Sequence, residues 1–261
     1  MADFIKFLGT AGARYVVAKQ LRSSAGVFLN LKGKKIILDP GPGTLVRCAA
    51  SKPKIDVAAL DAVILSHLHI DHTNDVNILI DAMTEGGLKK RGVLFAPPEC
   101  LHGENAIVLN YLRSFLQEIV MLEEDRSYCL GDLSFMTSIN LDHNVQTYGM
   151  KFDLKSQKLS FIVDTKFFPG LIENFEDSDI LVINVVRAST YDRLGIPRTE
   201  IPHLSLDDAK KIVLAIKPKK VVLTHFGMTL LKAKPWEMAQ RMSDETGIEI
   251  IAASDGLSMA L

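Results

Sequence analysis

The segment Ala62-Val63-Ile64-Leu65-Ser66-His67-Leu68-His69-Ile70-Asp71-His72 passes from four apolar residues into three imidazoles and a carboxylate within six positions. A short apolar run bounded in this way reads as a buried strand. Histidines and an acid crowd the end of such a strand only at a desolvation cost, unless a cation neutralises and orders them. His67 and His69 are two apart, which on extended backbone places both rings on one side. Asp71 and His72 follow where the chain leaves the strand, free to turn toward a second point nearby. The six residues can thus serve two neighbouring metal ions but complete the coordination of neither.

Further ligands are expected from other strand ends, and three positions qualify. His143 stands in Leu141-Asp142-His143-Asn144 after a β-like run, Asp164 ends Phe161-Ile162-Val163, and His225 ends Val221-Val222-Leu223-Thr224. A single His or Asp at a strand end is more often a cap or a turn residue. Four strand ends carrying them, each after an apolar run, point to a metal site.

Outward from the motif, patterning gives the elements. Strands are expected over 4–8, 27–31, 35–39 and 62–66, with Lys32-Gly33-Lys34 as a hairpin turn and Pro40-Gly41-Pro42-Gly43 as a break. Helical spacing covers 74–83 and 106–116. Short β-like runs follow at 133–137, 148–152, 159–163 and 180–184. Ser205, with Asp207 and Asp208 behind it, opens a helix that Pro218 stops. A strand over 221–224, a helix over 236–245 and strands over 248–252 and 257–260 close the chain. This order predicts an α/β fold in which two mixed sheets pack face to face with helices on the outer faces, a four-layer αββα sandwich formed by a single domain over 1–261.

Composition narrows the function. Of 261 residues, 48% are hydrophobic and 23% charged, enough for a full core. Net charge is −1, from 30 Lys+Arg against 31 Asp+Glu, which favours a small anionic substrate over a long nucleic acid. Cys48, Cys100 and Cys129 are scattered without CxxC spacing, so neither a disulfide framework nor a thiolate zinc site is expected. No basic segment with a long apolar run opens the sequence, and no stretch reaches the ~20 apolar residues of a membrane helix. A soluble cytoplasmic protein with no membrane partner is expected.

The run His67-Leu68-His69-Ile70-Asp71-His72 matches the HxHxDH signature of the metallo-β-lactamase-fold hydrolases, and His143, Asp164 and His225 match later motifs in that family's order. The chain resembles this family from Gly9 past His225. Asp39, in Ile37-Leu38-Asp39-Pro40-Gly41, resembles an early motif aspartate that supports the site. The resemblance implies two divalent ions, one on His67, His69 and His143, the other on Asp71, His72 and His225, with Asp164 bridging. Nitrogen and oxygen ligands without thiolate suit a zinc pair, and manganese or iron would accept the same donors. Metal binding lowers the pKa of water from about 15.7 to near 7, so hydrolysis is the expected reaction.

His203, in Ile201-Pro202-His203-Leu204-Ser205, resembles the extra histidine of the family's phosphodiesterase branch, which includes ribonuclease Z and phosphoribosyl cyclic phosphodiesterases. Asp71 and His203 are the residues expected to act in the chemical step, His203 also contacting substrate. The long arm with which ribonuclease Z grips transfer RNA is missing between His143 and Asp164, where only a hairpin-sized segment stands. A small phosphodiester is therefore favoured. An ester, thioester or lactone hydrolase on the same scaffold, and a non-hydrolytic diiron redox or sensor module, are the alternatives. Arg22 and Ser23, with Arg14 and Ser24 in the same loop after the first strand, are candidate substrate contacts; Arg187 and Tyr191 are candidates to line the pocket. A homodimer is expected only from family habit.

Overall fold

A computed structural model of the chain describes residues 2–24, 26–191, 195–196 and 200–261. Its strands are β1 (Phe4–Phe7), β2 (Val27–Leu31), β3 (Lys34–Leu38), β4 (Ala62–Ile64), β5 (Val93–Ala96), β6 (Glu118–Met121), β7 (Ser127–Leu130), β8 (Leu133–Asn140), β9 (Tyr148–Asp153), β10 (Lys158–Ile162), β11 (Ile180–Asn184), β12 (Lys220–Thr224), β13 (Glu249–Ala252) and β14 (Ser258–Ala260). They form two sheets, ordered β14-β1-β2-β3-β4-β5-β6 and β13-β12-β11-β10-β9-β8-β7. The αββα expectation holds, and alternation along the strands explains the layering. Ile5, Phe7, Leu29, Leu31, Ile36, Leu38 and Ile64 share one core with Phe135, Phe152 and Phe161 of the other sheet. Their neighbours Phe28, Ile37, Val63 and Leu94 turn the other way and pack with Leu79, Ile80 and Met83 of the helix Val76–Met83. On the far side the helices Gly170–Phe175, Leu206–Ile216 and Pro235–Thr246 cover the second sheet through Phe175, Ile212 and Met242.

The hairpin at Lys32-Gly33 turns with both residues left-handed (φ 48° and 77°), the geometry a two-residue hairpin needs. Ser205 caps its helix as expected, accepting from the Asp208 backbone while Asp208 accepts from the Ser205 N–H. One helix is shorter than its spacing predicts. Within 106–116 only Asn110–Arg113 is helical. Val108, Leu112 and Leu116 are buried at helical intervals, but the backbone before residue 110 is committed elsewhere. Ile107 and Val108 donate to the Cys100 carbonyl, and the Asn77 amide side chain bonds Ile107 O and Leu109 N. Short helices at Ala13–Ala18 and Thr44–Ala50 add to the predicted set.

β3 to β6 run parallel, as do β10 to β13. β8 points the same way as β10, because two antiparallel pairings separate them. The carboxyl ends of β3, β4, β8, β10, β11 and β12 therefore gather at one rim, the usual place for a site in sheets of this kind. No helix among the described residues is long and apolar enough to cross a membrane.

Candidate active site

Each strand ending at that rim delivers a polar side chain just past its last apolar residue. β3 leads to Asp39, β4 to Ser66 and His67, β8 to His143, β10 to Asp164, β11 ends on Asn184, and β12 leads to His225. His69 stands before a single helical turn, Ile70–Thr73, that carries Asp71 and His72 back over the strand ends. The structure brings all seven sequence-predicted ligands together in two adjoining groups. His67, His69 and His143 form one, and Asp71, His72, Asp164 and His225 the other, with donor atoms in each within 4.8 Å of one another. His143 Nε2 lies 3.0 Å from His69 Nδ1, and His72 Nε2 lies 3.0 Å from His225 Nε2. Asp164 Oδ2 sits between the groups, 3.9 Å from His67 Nε2 and 3.3 Å from His72 Nε2, while Oδ1 is 3.4 Å from His225 Nδ1.

The opposite sides of the rings are held by neutral and anionic acceptors. Asp39, left-handed at φ 52°, accepts the Ser66 N–H (2.7 Å), the Ser66 hydroxyl (2.6 Å) and His72 Nδ1–H (3.0 Å). Ser66 Oγ also bonds His67 Nδ1 at 2.9 Å. His143 Nδ1–H donates to the Pro202 carbonyl at 2.9 Å, and Asn184 Nδ2–H donates to Asp164 Oδ1 at 3.0 Å. Such outer contacts fix which nitrogen of each ring faces inward. Ser66 and Asn184 were not among the residues singled out from the sequence. The available signal was their position, polar residues closing the apolar runs Ala62-Val63-Ile64-Leu65 and Ile180-Leu181-Val182-Ile183.

Burial and charge divide the titrating groups. Burial, reinforced by the neighbouring His72, holds the His67 ring well below the usual histidine range. Burial also lowers His69 and His143, and it takes His203 down to about 4. His72 goes the other way. Burial opposes its charged form, but the Asp164 and Asp71 carboxylates and the bonds to Asp164 and Asp39 outweigh burial and raise it. Asp164 and Asp71 are depressed despite burial, Asp164 by His225, His203 and His72, Asp71 by His72 and His225.

These shifts set a pH dependence for the metal-free protein. Unfolded histidines take up protons near pH 6.5, whereas folded His67, His69, His143 and His203 refuse them, so stability falls as pH drops through 6.5. His72, raised on folding, works in the opposite sense, but it is one ring against four. His203, taken down to about 4, alone removes on the order of 1 kcal/mol by pH 5.5. Thermal unfolding of chelated protein at pH 7.5, 6.5 and 5.5 should give steadily lower midpoints; a midpoint that rises on acidification would contradict this balance.

Two buried ring nitrogens at the centre, His67 Nε2 and His225 Nδ1, have no hydrogen-bond partner among the described residues. His225 is itself left-handed at φ 62°, a conformation that costs about 1–3 kcal/mol and that clusters at functional sites. Its loop is clamped to the first sheet's loop, Gly12 N donating to Phe226 O and Phe226 N to Thr10 O. A Cβ on Gly12 would stand 2.1 Å from His225 O and 2.4 Å from its Nδ1. Gly12→Ala must therefore push His225 aside. We expect about 1–3 kcal/mol of lost stability and weaker binding of divalent metal, read by calorimetry; unchanged metal affinity would show that His225 does not need this close approach.

His203 lies beside this centre, its Nδ1 3.6 Å from Asp164 Oδ2 and its ring 5.3 Å from that of His143 and 6.0 Å from that of His225. Of the other candidates, Arg22 reaches Thr10 Oγ1 (3.1 Å) and Ala253 O (3.5 Å) and lies over the Phe226 ring. The Ser23 N–H donates to Asp255 Oδ2 at 2.7 Å, tying the loop to the chain's end. Ser24 is buried, while Arg14 and Tyr191 are exposed. Arg187 turns toward the His203 backbone, donating from Nη2 to its carbonyl at 2.8 Å.

A family model described as the Beta-lactamase superfamily domain matches residues 34–226. An uncharacterized protein of Methanocaldococcus jannaschii is 31% identical over 98% of the chain and 94% of its own length. Ribonuclease Z of Clostridium tetani is 23% identical over 85% of the chain and 88% of its own length. Among solved structures, the metallo-beta-lactamase fold protein YhfI of Bacillus subtilis superposes with a TM-score of 0.79 at 18% identity, covering 99% of both chains. A diphosphatase of the PhnP family gives 0.71 at 19% identity, covering 100% of this chain and 98% of its own.

Proposed function

Because the chain belongs to the β-lactamase superfamily, we propose that it is a metal-dependent hydrolase of small phosphodiesters, working with two divalent ions. His67, His69 and His143 would hold one ion and Asp71, His72 and His225 the other, with Asp164 shared. The donor set fits. It offers imidazole and carboxylate without thiolate, its His67 ring is kept neutral, and two buried nitrogens await a partner. Zinc suits these donors best, with manganese or iron acceptable. Bound there, divalent ions activate water near neutral pH and offset charge growing on a phosphoryl oxygen.

The chain's own residues supply orientation and a proton. Asp39 and Ser66 fix the His67 and His72 rings, and Asn184 fixes Asp164. As water adds to phosphorus and the bond to the leaving group breaks, His203 gives a proton to the departing oxygen. Burial keeps this ring neutral in the free protein, and an arriving phosphodiester anion favours its charged form. The observation that carries the proposal is the placement of His203, whose buried Nδ1 lies beside Asp164 and has no hydrogen-bond partner among the described residues. An alkoxide leaving group needs such a donor, whereas a thiolate does not.

A small substrate is supported by the link between His143 and Asp164, which is filled by the plain hairpin of β9 and β10. The proteins named ribonuclease Z among its relatives make RNA the second reading. Turnover of cyclic nucleotides, bis-aryl phosphates, a precursor transfer RNA, thioesters and lactones, each with Zn²⁺ and Mn²⁺, separates the possibilities. We expect activity on the small diesters. Activity on thioesters or lactones alone, or on the RNA alone, would overturn the proposal.

A further inference from the structure

On this reading of the site, we propose that Arg187 is the positioning residue that aims His203 at the leaving group. Among the described residues no hydrogen bond holds the buried Nδ1 of His203, so where its ring lies depends on how its backbone is held. That backbone is held at two successive carbonyls. Pro202 O accepts from His143 Nδ1–H at 2.9 Å, and His203 O accepts from Arg187 Nη2–H at 2.8 Å. The first anchor belongs to a proposed metal ligand; the second does not, so it can be changed without touching a donor atom.

Arg187 is itself fixed to the segment it steadies. Its N–H points to Leu204 O at 3.4 Å, its carbonyl accepts from Leu206 N at 2.9 Å, and it forms a parallel bridge with Ser205. Its other terminal nitrogen, Nη1, reaches back to Thr190 O at 3.4 Å, and Thr190 Oγ1 bonds Ser205 Oγ at 2.7 Å. The guanidinium thus spans the two sides of the loop with a planar fork. A lysine, with a point charge on a flexible stem, reproduces one arm of that fork at most. Past Ser205 the chain enters the capped helix Leu206–Ile216, which gives the segment a rigid footing. His203 is therefore suspended between a rigid helix start, a metal-site histidine and one arginine.

The test uses the metal-loaded enzyme, two phosphodiesters that differ only in having an alkoxide or a p-nitrophenolate leaving group, and the variants Arg187→Met, Arg187→Lys, His203→Ala and the double variant Arg187→Met/His203→Ala. A displacement of about 1 Å costs up to roughly 10²-fold. Arg187→Met is expected to lose about 10- to 100-fold in kcat on the alkoxide substrate, with a smaller loss on the aryl one and little change in KM. Arg187→Lys should recover part of the loss, and the double variant should be no worse than His203→Ala. Hydrogen exchange supplies a readout apart from activity, in which the Leu204 and Leu206 amides exchange faster in Arg187→Met at unchanged metal content. If Arg187→Met fails to fold, Arg187→Lys is judged by the same leaving-group and exchange criteria.

Failure of the two ideas can be told apart. If His203→Ala loses equally on both substrates, the proton-donor role falls, whatever Arg187 does. If His203→Ala favours the aryl substrate but Arg187→Met does not, or if the two losses multiply, the positioning role of Arg187 is overturned.

Discussion

Asp164→Ala is expected to leave a folded chain that no longer holds a pair of divalent ions and turns over substrate on the order of 10³-fold more slowly or worse, since metal ions contribute several kcal/mol to such reactions. Asp164 is 2% exposed, and its carboxylate lies close to donors of both groups, namely His67, His72 and His225. On the proposed assignment, each ion would lose a ligand and the pair would lose its shared anion. The scaffold loses less, because Asn184 Nδ2 forfeits its acceptor at about 1–3 kcal/mol, while the burial of Phe161 and Ile162 beneath the site is untouched. The variant also changes the metal-free protein. His72 is held above its usual range largely by Asp164, so its ring should titrate lower, which NMR of the imidazole resonances reads directly. Calorimetric titration of Asp164→Ala with Zn²⁺ that still shows two tight sites would remove Asp164 from the bridging position.

His203→Ala should behave differently. His203 belongs to none of the donor groups within 4.8 Å of one another, so metal content should remain that of the parent protein. Turnover of a diester with an alkoxide leaving group should fall by about 10²–10⁴-fold, the usual worth of a placed proton donor. With p-nitrophenolate, which leaves without a proton, the loss should be clearly smaller. An equal loss on both would mean that the ring contributes only binding or shape. A loss of metal in His203→Ala would mean that His203 is a ligand, contrary to the assignment.

What was legible in the sequence follows physical lines. The motif at 67–72 is readable because its chemistry is local. Six adjacent residues at a strand end can be judged without knowing what faces them, and His143, Asp164 and His225 show themselves by the apolar runs before them. The elements that escaped have weak patterns. The helix Thr44–Ala50 buries only Thr44 and Cys48, begins on Gly43 at φ 88°, and has no side-chain cap. The helix expected over 106–116 shows the converse, a good apolar spacing defeated by hydrogen bonds to the Cys100 carbonyl and to the side chain of Asn77, which lies some thirty residues away in sequence. Asn184 and Ser66 escaped because their meaning lies in partners across strands. Asn184 matters only because β11 pairs beside β10 and brings it to Asp164. Arg22 and Ser23 lie in the loop expected to face the site, and their bonds to Thr10, Ala253 and Asp255 depend on where the end of the chain packs, which local pattern does not record.

The measurement that bears most directly on a paired cation site is a crystal of the metal-loaded protein examined by anomalous diffraction at the zinc edge, alongside elemental analysis of the same sample. Two peaks per chain, one among His67, His69 and His143 and the other among Asp71, His72 and His225, with Asp164 reaching both, are expected. Zinc at neither place while the protein is folded and active, or a single ion that leaves Asp164 unliganded, would contradict it.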